Sequence, residues 1–231
     1  RNHSIVPEIG EARASPHRFT VVAYDAQGTH AEAIKVYDDA VAAGAMGVVG
    51  AITPWNYPIS MITRKLGPAL AAGCTVVLKP AESTPLCARA MFEIFEAAGF
   101  PKGVVNLLTV SDPAATGRAF CSDARVRKLT FTGSTAVGRK LNAEAALHLK
   151  RVSMELGGHA PALVFPDADP VHAAKGLSLV KFLNMGQACI SPNRIYVHED
   201  HCEAFLGELT RRVARLRVGN GMEEGIGIRP L

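Results

Sequence analysis

The chain has 231 residues, a formal net charge of +4 and 48% hydrophobic residues. That length buries a core without disulfide staples and suits one large or two small domains. No apolar run reaches membrane-span length, and the mild positive charge has no aromatic or polar base readers beside it, so neither a membrane protein nor a nucleic-acid binder is expected.

The opening residues, RNHSIVPEIG, hold neither an initiator Met nor an apolar signal region, so the chain reads as processed or as a fragment. Residues 1–45 are less regular than the rest, with a helical, Ala-rich pattern from Thr29 to Gly44. Strand-like and helix-like runs then alternate. GVVGAI (Gly47 to Ile52) is a buried-strand pattern, and a helix from Pro58 to Gly73 is opened by Pro and closed by Gly. CTVVLK is a second strand, Thr84 to Gly99 a helix, and GVVNLLTV a third strand. A short helix after Pro113 precedes the strand RKLTFT and a helix from Ser134 to about Leu149. The strands RVSMEL and PALVF follow, then a helix from Asp169 to Phe182. A loop carrying Cys189 leads to the strand RIYVH and a helix from Asp200 to about Leu216. Repeated strand–helix–strand units with near-continuous apolar strands predict an α/β fold with a parallel sheet covered on both faces. Ligands of such sheets bind beyond the carboxyl ends of the strands.

The five cysteines, Cys74, Cys87, Cys121, Cys189 and Cys202, are odd in number, irregularly spaced and without a CxxC pair. Neither a disulfide framework nor a structural zinc site is expected, and a reducing compartment fits best. HEDHC (His198 to Cys202) reads as a strand end running into a helix, with Asp200 near the cap, rather than as a metal site. RRVARLRVG (Arg211 to Gly219) reads as a solvated helix face.

Several unusual residues fall at the ends of the expected strands. TPWNYP sets Trp55 and Asn56 in a loop stiffened by prolines; it reads as a turn with a packed Trp or as a rigid mount aiming an amide at an oxyanion. LKPAES ends a strand with Lys79 and Glu82, either two charges on a surface loop or a pair that holds ribose hydroxyls. FTGSTAVGRK puts Gly133 and Ser134 where a strand turns into a helix, an ordinary turn or a phosphate site. It is not a P-loop, because Leu141 stands where a Ser or Thr would hold magnesium. SMELGGHAP places Glu155 at a strand end before a diglycine, as a strand-terminal acid or a general base. Cys189 lies between small residues in a loop, open enough for a nucleophile.

Taken in order, PWNYP, KPAEST, FTGSTAVG, MELGGHAP and GQACI resemble the NAD(P)-dependent aldehyde dehydrogenase superfamily over roughly Gly47 to the C-terminus. MITRKLGPALAAGCTVVLKPAESTP, RVSMELGG and LRVGNGMEEG look most like its succinate-semialdehyde dehydrogenase branch. The resemblance implies a Rossmann-like NAD-binding domain over residues 46–157 and a partial catalytic domain over 158–231. Residues 1–45 fall at the family's oligomerisation hairpin. It implies Cys189 as nucleophile, Asn56 and the Cys189 amide as oxyanion holders, and Glu155 as activator of water. Lys79 and Glu82 would hold the adenosine ribose, Gly133 and Ser134 the pyrophosphate, and Trp55 and Leu156 would line the cofactor site. Arg64 matches an Arg near the substrate carboxylate. The implied cofactor is NAD, with NADP as the alternative; the implied partner is a small aldehyde, with no metal and with homo-oligomers for the full-length protein. The cytoplasm is the expected compartment, with the mitochondrial matrix as a second. The family's usual length is about twice this one, a difference of about one or two domains. Two readings therefore stand beside each other: aldehyde oxidation, or a non-catalytic nucleotide-binding or structural remnant. At two positions this chain departs from the branch. Leu183 stands where the branch has a second Arg, and Ser191 where some members have a second loop cysteine.

Overall fold

The computed structural model describes residues 20–25, as backbone, and 47–229, side chains included. The expected helix from Thr29 to Gly44 and most of the irregular N-terminal segment lie outside the described residues. The part of that segment that is described is not irregular: Thr20–Asp25 forms a strand, β1. Its TVVAYD sequence is rich in β-branched and aromatic residues, a strand signal that the surrounding irregularity masks.

The chain divides into two compact units, one ending at Leu156 and one running from Gly157 to Leu231. In the first, β2 (Val48–Ile52), β3 (Thr75–Lys79), β4 (Lys102–Thr109), β5 (Val126–Gly133) and β6 (Arg151–Leu156) join β1 in a sheet of order β1-β4-β3-β2-β5-β6. Every pairing is parallel. All residues of β2 and β3 are buried, as a sheet covered on both faces requires. Helices α1 (Pro58–Ala71), α2 (Pro85–Ala97), α3 (Pro113–Ser122) and α4 (Thr135–Ala146) connect the strands.

The core has two layers. On one face Ile62 and Leu66 of α1 and Ala88 and Phe92 of α2 pack on Val49, Ala51, Val76 and Leu78. On the other, Phe120 of α3 and Leu141 and Ala145 of α4 pack on Val48, Ile52, Leu129 and Phe131. Helices α1, α2 and α3 each carry Pro in the first turn, where its missing N–H costs nothing. Asp112 caps α3 by accepting from the amides of Ala114 and Ala115.

The second unit is smaller. Strands β7 (Ala162–Val164) and β8 (Ile195–Val197) pair in parallel. Helices α5 (Pro170–Phe182) and α6 (Cys202–Val213) close over them around Val164, Ala174 and Phe205. The helix expected from Asp200 starts two residues later, after a single 3-10 turn at Glu199–His201, and ends at Val213. His201 is its N-cap, with no side-chain cap bond, and Asp200 turns instead toward His198 Nδ1, 3.5 Å away.

Candidate active site

The strand order reverses beside β2. From β2 the chain steps outward through β3 to β4, then returns to the opposite side of β2 for β5 and β6. Such a reversal opens a crevice beyond the carboxyl ends of the two strands that flank it, here β2 and β5. The ends of these two strands carry Trp55, Asn56, Gly133 and Ser134, and the neighbouring β3 and β6 carry Lys79, Glu82, Glu155 and Leu156.

The first loop leaves β2 at Ile52 and enters α1 at Pro58. Thr53 donates its amide to the Lys79 carbonyl at 3.1 Å, which ties the loop's root to the end of β3. Asn56 is half-buried between two prolines. Trp55 is 51% exposed, so the packed-Trp reading of this turn does not hold. The prolines restrict the backbone and carry the indole outward.

At the end of β3, Lys79 is 4% exposed and its ammonium is paired with the carboxylate of Glu82. The reading of two charges on a surface loop therefore fails for Lys79. Burying its stem and ammonium needs a partner, and Glu82 supplies one from the loop edge.

Beyond β5, Ser134 is the N-cap of α4, and its hydroxyl accepts from the Val137 amide at 3.3 Å. The first turn of a twelve-residue helix opens there, with Val137 exposed beside it. Gly138 lets this helix approach β6: a Cβ there would lie 2.4 Å from Leu156 Cδ2. Leu156 is half-buried and packs against the cluster beneath α4.

Glu155 ends β6, paired in register with Thr132, and is exposed. Its charge acts on a group not singled out in the sequence, Lys65. Lys65 is buried on the sheet-facing side of α1 with Ile62 and Leu66. Its ammonium donates to Thr130 Oγ1 at 3.0 Å. Burial pulls its pKa down to about 8; the Glu155 charge draws it back up and the Lys128 charge lowers it. The signal was present in the sequence, since a Lys at i+3 from Ile62 and beside Leu66 interrupts the apolar stripe of a core-facing helix. Arg64, the neighbouring residue, points to the exposed side of α1.

In the second unit, α5 ends at Phe182 and the chain passes through three consecutive left-handed residues, Asn184, Met185 and Gly186, with φ of 49°, 58° and 80°. Cys189 follows and is exposed. Leu183, at the head of this turn, is 48% exposed. Of the other cysteines, Cys121 is buried, with its pKa raised by burial to about 11, and Cys74 and Cys87 are half-buried. Cys202 is exposed. It opens α6, and its thiol lies 3.7 Å from the Val197 carbonyl.

The donor set around the crevice fits a dinucleotide. Backbone amides and a hydroxyl at the start of α4 suit a pyrophosphate. A lysine–glutamate pair suits ribose hydroxyls. The exposed faces of Trp55 and Val137 suit an aromatic ring. No group of His, Cys, Asp and Glu that could hold a metal occurs among the described residues, and no described helix is long and apolar enough to cross a membrane.

Comparison with known proteins points the same way. The model of the aldehyde dehydrogenase family matches residues 5–231. A Sinorhizobium fredii protein named probable succinate-semialdehyde dehydrogenase (NADP(+)) is 54% identical over 186 residues, covering 80% of this chain and 38% of that protein. The crystal structure of succinate-semialdehyde dehydrogenase from Burkholderia pseudomallei superposes with a TM-score of 0.77 at 51% identity, covering 81% of this chain and 39% of that one. The NAD+ complex of an aldehyde dehydrogenase from Bacillus cereus gives a TM-score of 0.75 at 41% identity, with coverage of 81% and 38%. The chain thus spans about two-fifths of the length of the proteins it matches.

Proposed function

The chain belongs to the aldehyde dehydrogenase family, and from that premise we propose that its site residues serve the oxidation of an aldehyde, of the semialdehyde class, to the carboxylic acid with NAD or NADP. One observation carries this reading. Asn56, Lys79 with Glu82, Gly133 with Ser134, and Glu155 with Leu156 stand at or just beyond the carboxyl ends of β2, β3, β5 and β6, around the reversal of strand order. A parallel sheet of this topology concentrates ligand contacts there.

Under this proposal residues 46–157 bind the dinucleotide and residues 158–231 form part of the catalytic domain. Lys79 and Glu82 hold the adenosine ribose. The start of α4 at Gly133 and Ser134 receives the pyrophosphate, and Trp55 and Leu156 line the rings. When bound, the nicotinamide accepts a hydride from the substrate carbon.

The Cys189 thiolate attacks the aldehyde carbon, forming a C–S bond, and the carbonyl π pair moves to oxygen. The Asn56 amide and the Cys189 backbone N–H are assigned to that oxyanion, where hydrogen-bond donors lower the barrier to acyl transfer. Loss of hydride leaves a thioester on Cys189. Glu155 takes a proton from water as the water attacks the thioester, and the C–S bond breaks to return the thiolate and release the acid. Arg64 is assigned to the carboxylate of a semialdehyde substrate. The full-length protein acts as a homo-oligomer.

The test is aldehyde-dependent formation of NADH or NADPH, with Cys189→Ala as the control. The proposal expects turnover to disappear in the variant while dinucleotide binding persists. Turnover that survives the change refutes the covalent route.

A further inference from the structure

The loop that carries Cys189 is closed by one residue. Lys181, in the last turn of α5, holds the returning chain through both its backbone and its side chain. Its carbonyl accepts from Ser191 Oγ at 3.0 Å, and its ammonium donates to Asn193 Oδ1 at 2.6 Å. Ser191 is 2% exposed, two residues beyond an exposed Cys189. A buried hydroxyl in such a place has few reasons to be polar apart from the bond it makes.

The segment between is held under strain. Met185 is left-handed without being glycine or asparagine, an arrangement that persists only where surrounding contacts enforce it, and Asn184 before it is left-handed too. Inside the closed loop, the Gln187 amide donates to the Asn184 carbonyl at 3.1 Å and the Ser191 amide to the Ala188 carbonyl at 3.0 Å. Gly186 lies beside the clasp, where a Cβ would make an ordinary contact at 3.4 Å with the Lys181 carbonyl oxygen. On the far side Asn193 is tied to the unit's body, donating its amide to the His159 carbonyl at 2.9 Å.

We propose that Lys181, Ser191 and Asn193 form a clasp that holds the strained turn at 184–186, and that Ser191 is thereby a positioning residue for the Cys189 thiol. Released from the clasp, the turn relaxes to ordinary backbone and the small apolar thiol packs inward. The clasp keeps it outward. The positioning role rests on Cys189 being the nucleophile; the clasp itself does not.

Two readouts on this chain, neither needing aldehyde nor dinucleotide, test it. The first is the iodoacetamide alkylation rate of Cys189, resolved by peptide mass spectrometry, with the equally exposed Cys202 as internal reference. The second is hydrogen exchange at the Gln187 and Ser191 amides. Ser191→Ala should slow Cys189 alkylation relative to Cys202 by about threefold or more and speed both amides by a similar factor, the scale of one lost hydrogen bond. Ser191→Thr, which keeps the hydroxyl, should restore both. Unchanged rates and exchange in Ser191→Ala overturn the clasp. If Ser191→Ala does not fold, Lys181→Met, which deletes only the ammonium link to Asn193, should show the same two changes; unchanged values there overturn it equally. If Cys189→Ala keeps dehydrogenase turnover while the clasp variants behave as stated, the function falls and the clasp stands.

Discussion

The ammonium of Lys65, buried on the sheet side of α1, donates to Thr130 Oγ1 at 3.0 Å, within the field of Glu155 on the neighbouring strand. A cation in a core-facing stripe is costly unless it is partnered, and the pull of burial on its pKa measures that cost. The folded pKa of about 8 lies below the ordinary value of 10.5, so between the two the unfolded chain binds the extra proton. Stability therefore rises with pH across that interval. Relative to Lys65→Met, the wild type should gain on the order of 1–3 kcal/mol as pH passes from about 8 toward 10.5. Urea titrations of both proteins across that range check it. Adding Glu155→Gln removes the charge that draws the pKa up and should move the window to lower pH.

Gly50 lies in β2 against the ring of Phe120. An added Cβ would sit 3.0 Å from both Cγ and Cδ2 of a ring that is fully buried. The Cγ atom is the root of the ring, so the contact cannot be relieved at a flexible tip. Gly50→Ala should destabilise the first unit by about 1–3 kcal/mol, the usual cost of overpacking. Thermal melts of the variant, with an unchanged far-ultraviolet spectrum, are the check.

Glu82 pairs with the buried ammonium of Lys79 at the end of β3. In the proposed cofactor site its carboxylate would meet the adenosine 2′-substituent, where a hydroxyl is welcome and a phosphate is repelled. Glu82→Ser should raise kcat/KM with NADP relative to NAD. Equal preference before and after the change would remove Glu82 from cofactor choice.

Leu183 heads the left-handed turn before Cys189 and is half exposed. The resemblance implies a second Arg at this position, in addition to the one matched by Arg64. Leu183→Arg should raise kcat/KM for succinate semialdehyde over a neutral aldehyde of similar length by about 1–3 kcal/mol, roughly a factor of 5 to 160, the worth of a hydrogen bond to a charged group. A wild type that already prefers the semialdehyde strongly, and a variant that changes nothing, would sink the specificity argument.

Much of the fold was legible because parallel strands buried on both faces leave continuous apolar runs. VVGAI and TVVLK announce themselves, and prolines and glycines punctuate the helices between them. The strand-end positions of Asn56, Lys79, Glu82, Ser134 and Glu155 were legible for the same reason, once the strands were placed. Four features were missed. The strand Thr20–Asp25 lies in an irregular stretch, and its partner β4 is some eighty residues away in the register Thr20↔Lys102. The burial of Lys65 depends on which face of α1 meets the sheet, and the outward Trp55 depends on the exit angle of a proline-bound loop. The Lys181 clasp joins residues ten and twelve positions apart through a turn whose left-handed Met185 no local propensity announces.

The central claim is that Cys189 carries the acyl group during aldehyde oxidation, and trapping that group tests it most directly. Glu155→Gln removes the base proposed to activate water, so the thioester should outlive its formation. The variant is incubated with succinate semialdehyde and NAD, quenched in acid and digested, and each cysteine peptide is weighed. The account predicts a succinyl adduct on the Cys189 peptide, absent from the Cys202 peptide and dependent on the dinucleotide. Reduced dinucleotide formed by the variant with Cys189 unmodified, or with the adduct on another residue, would contradict it.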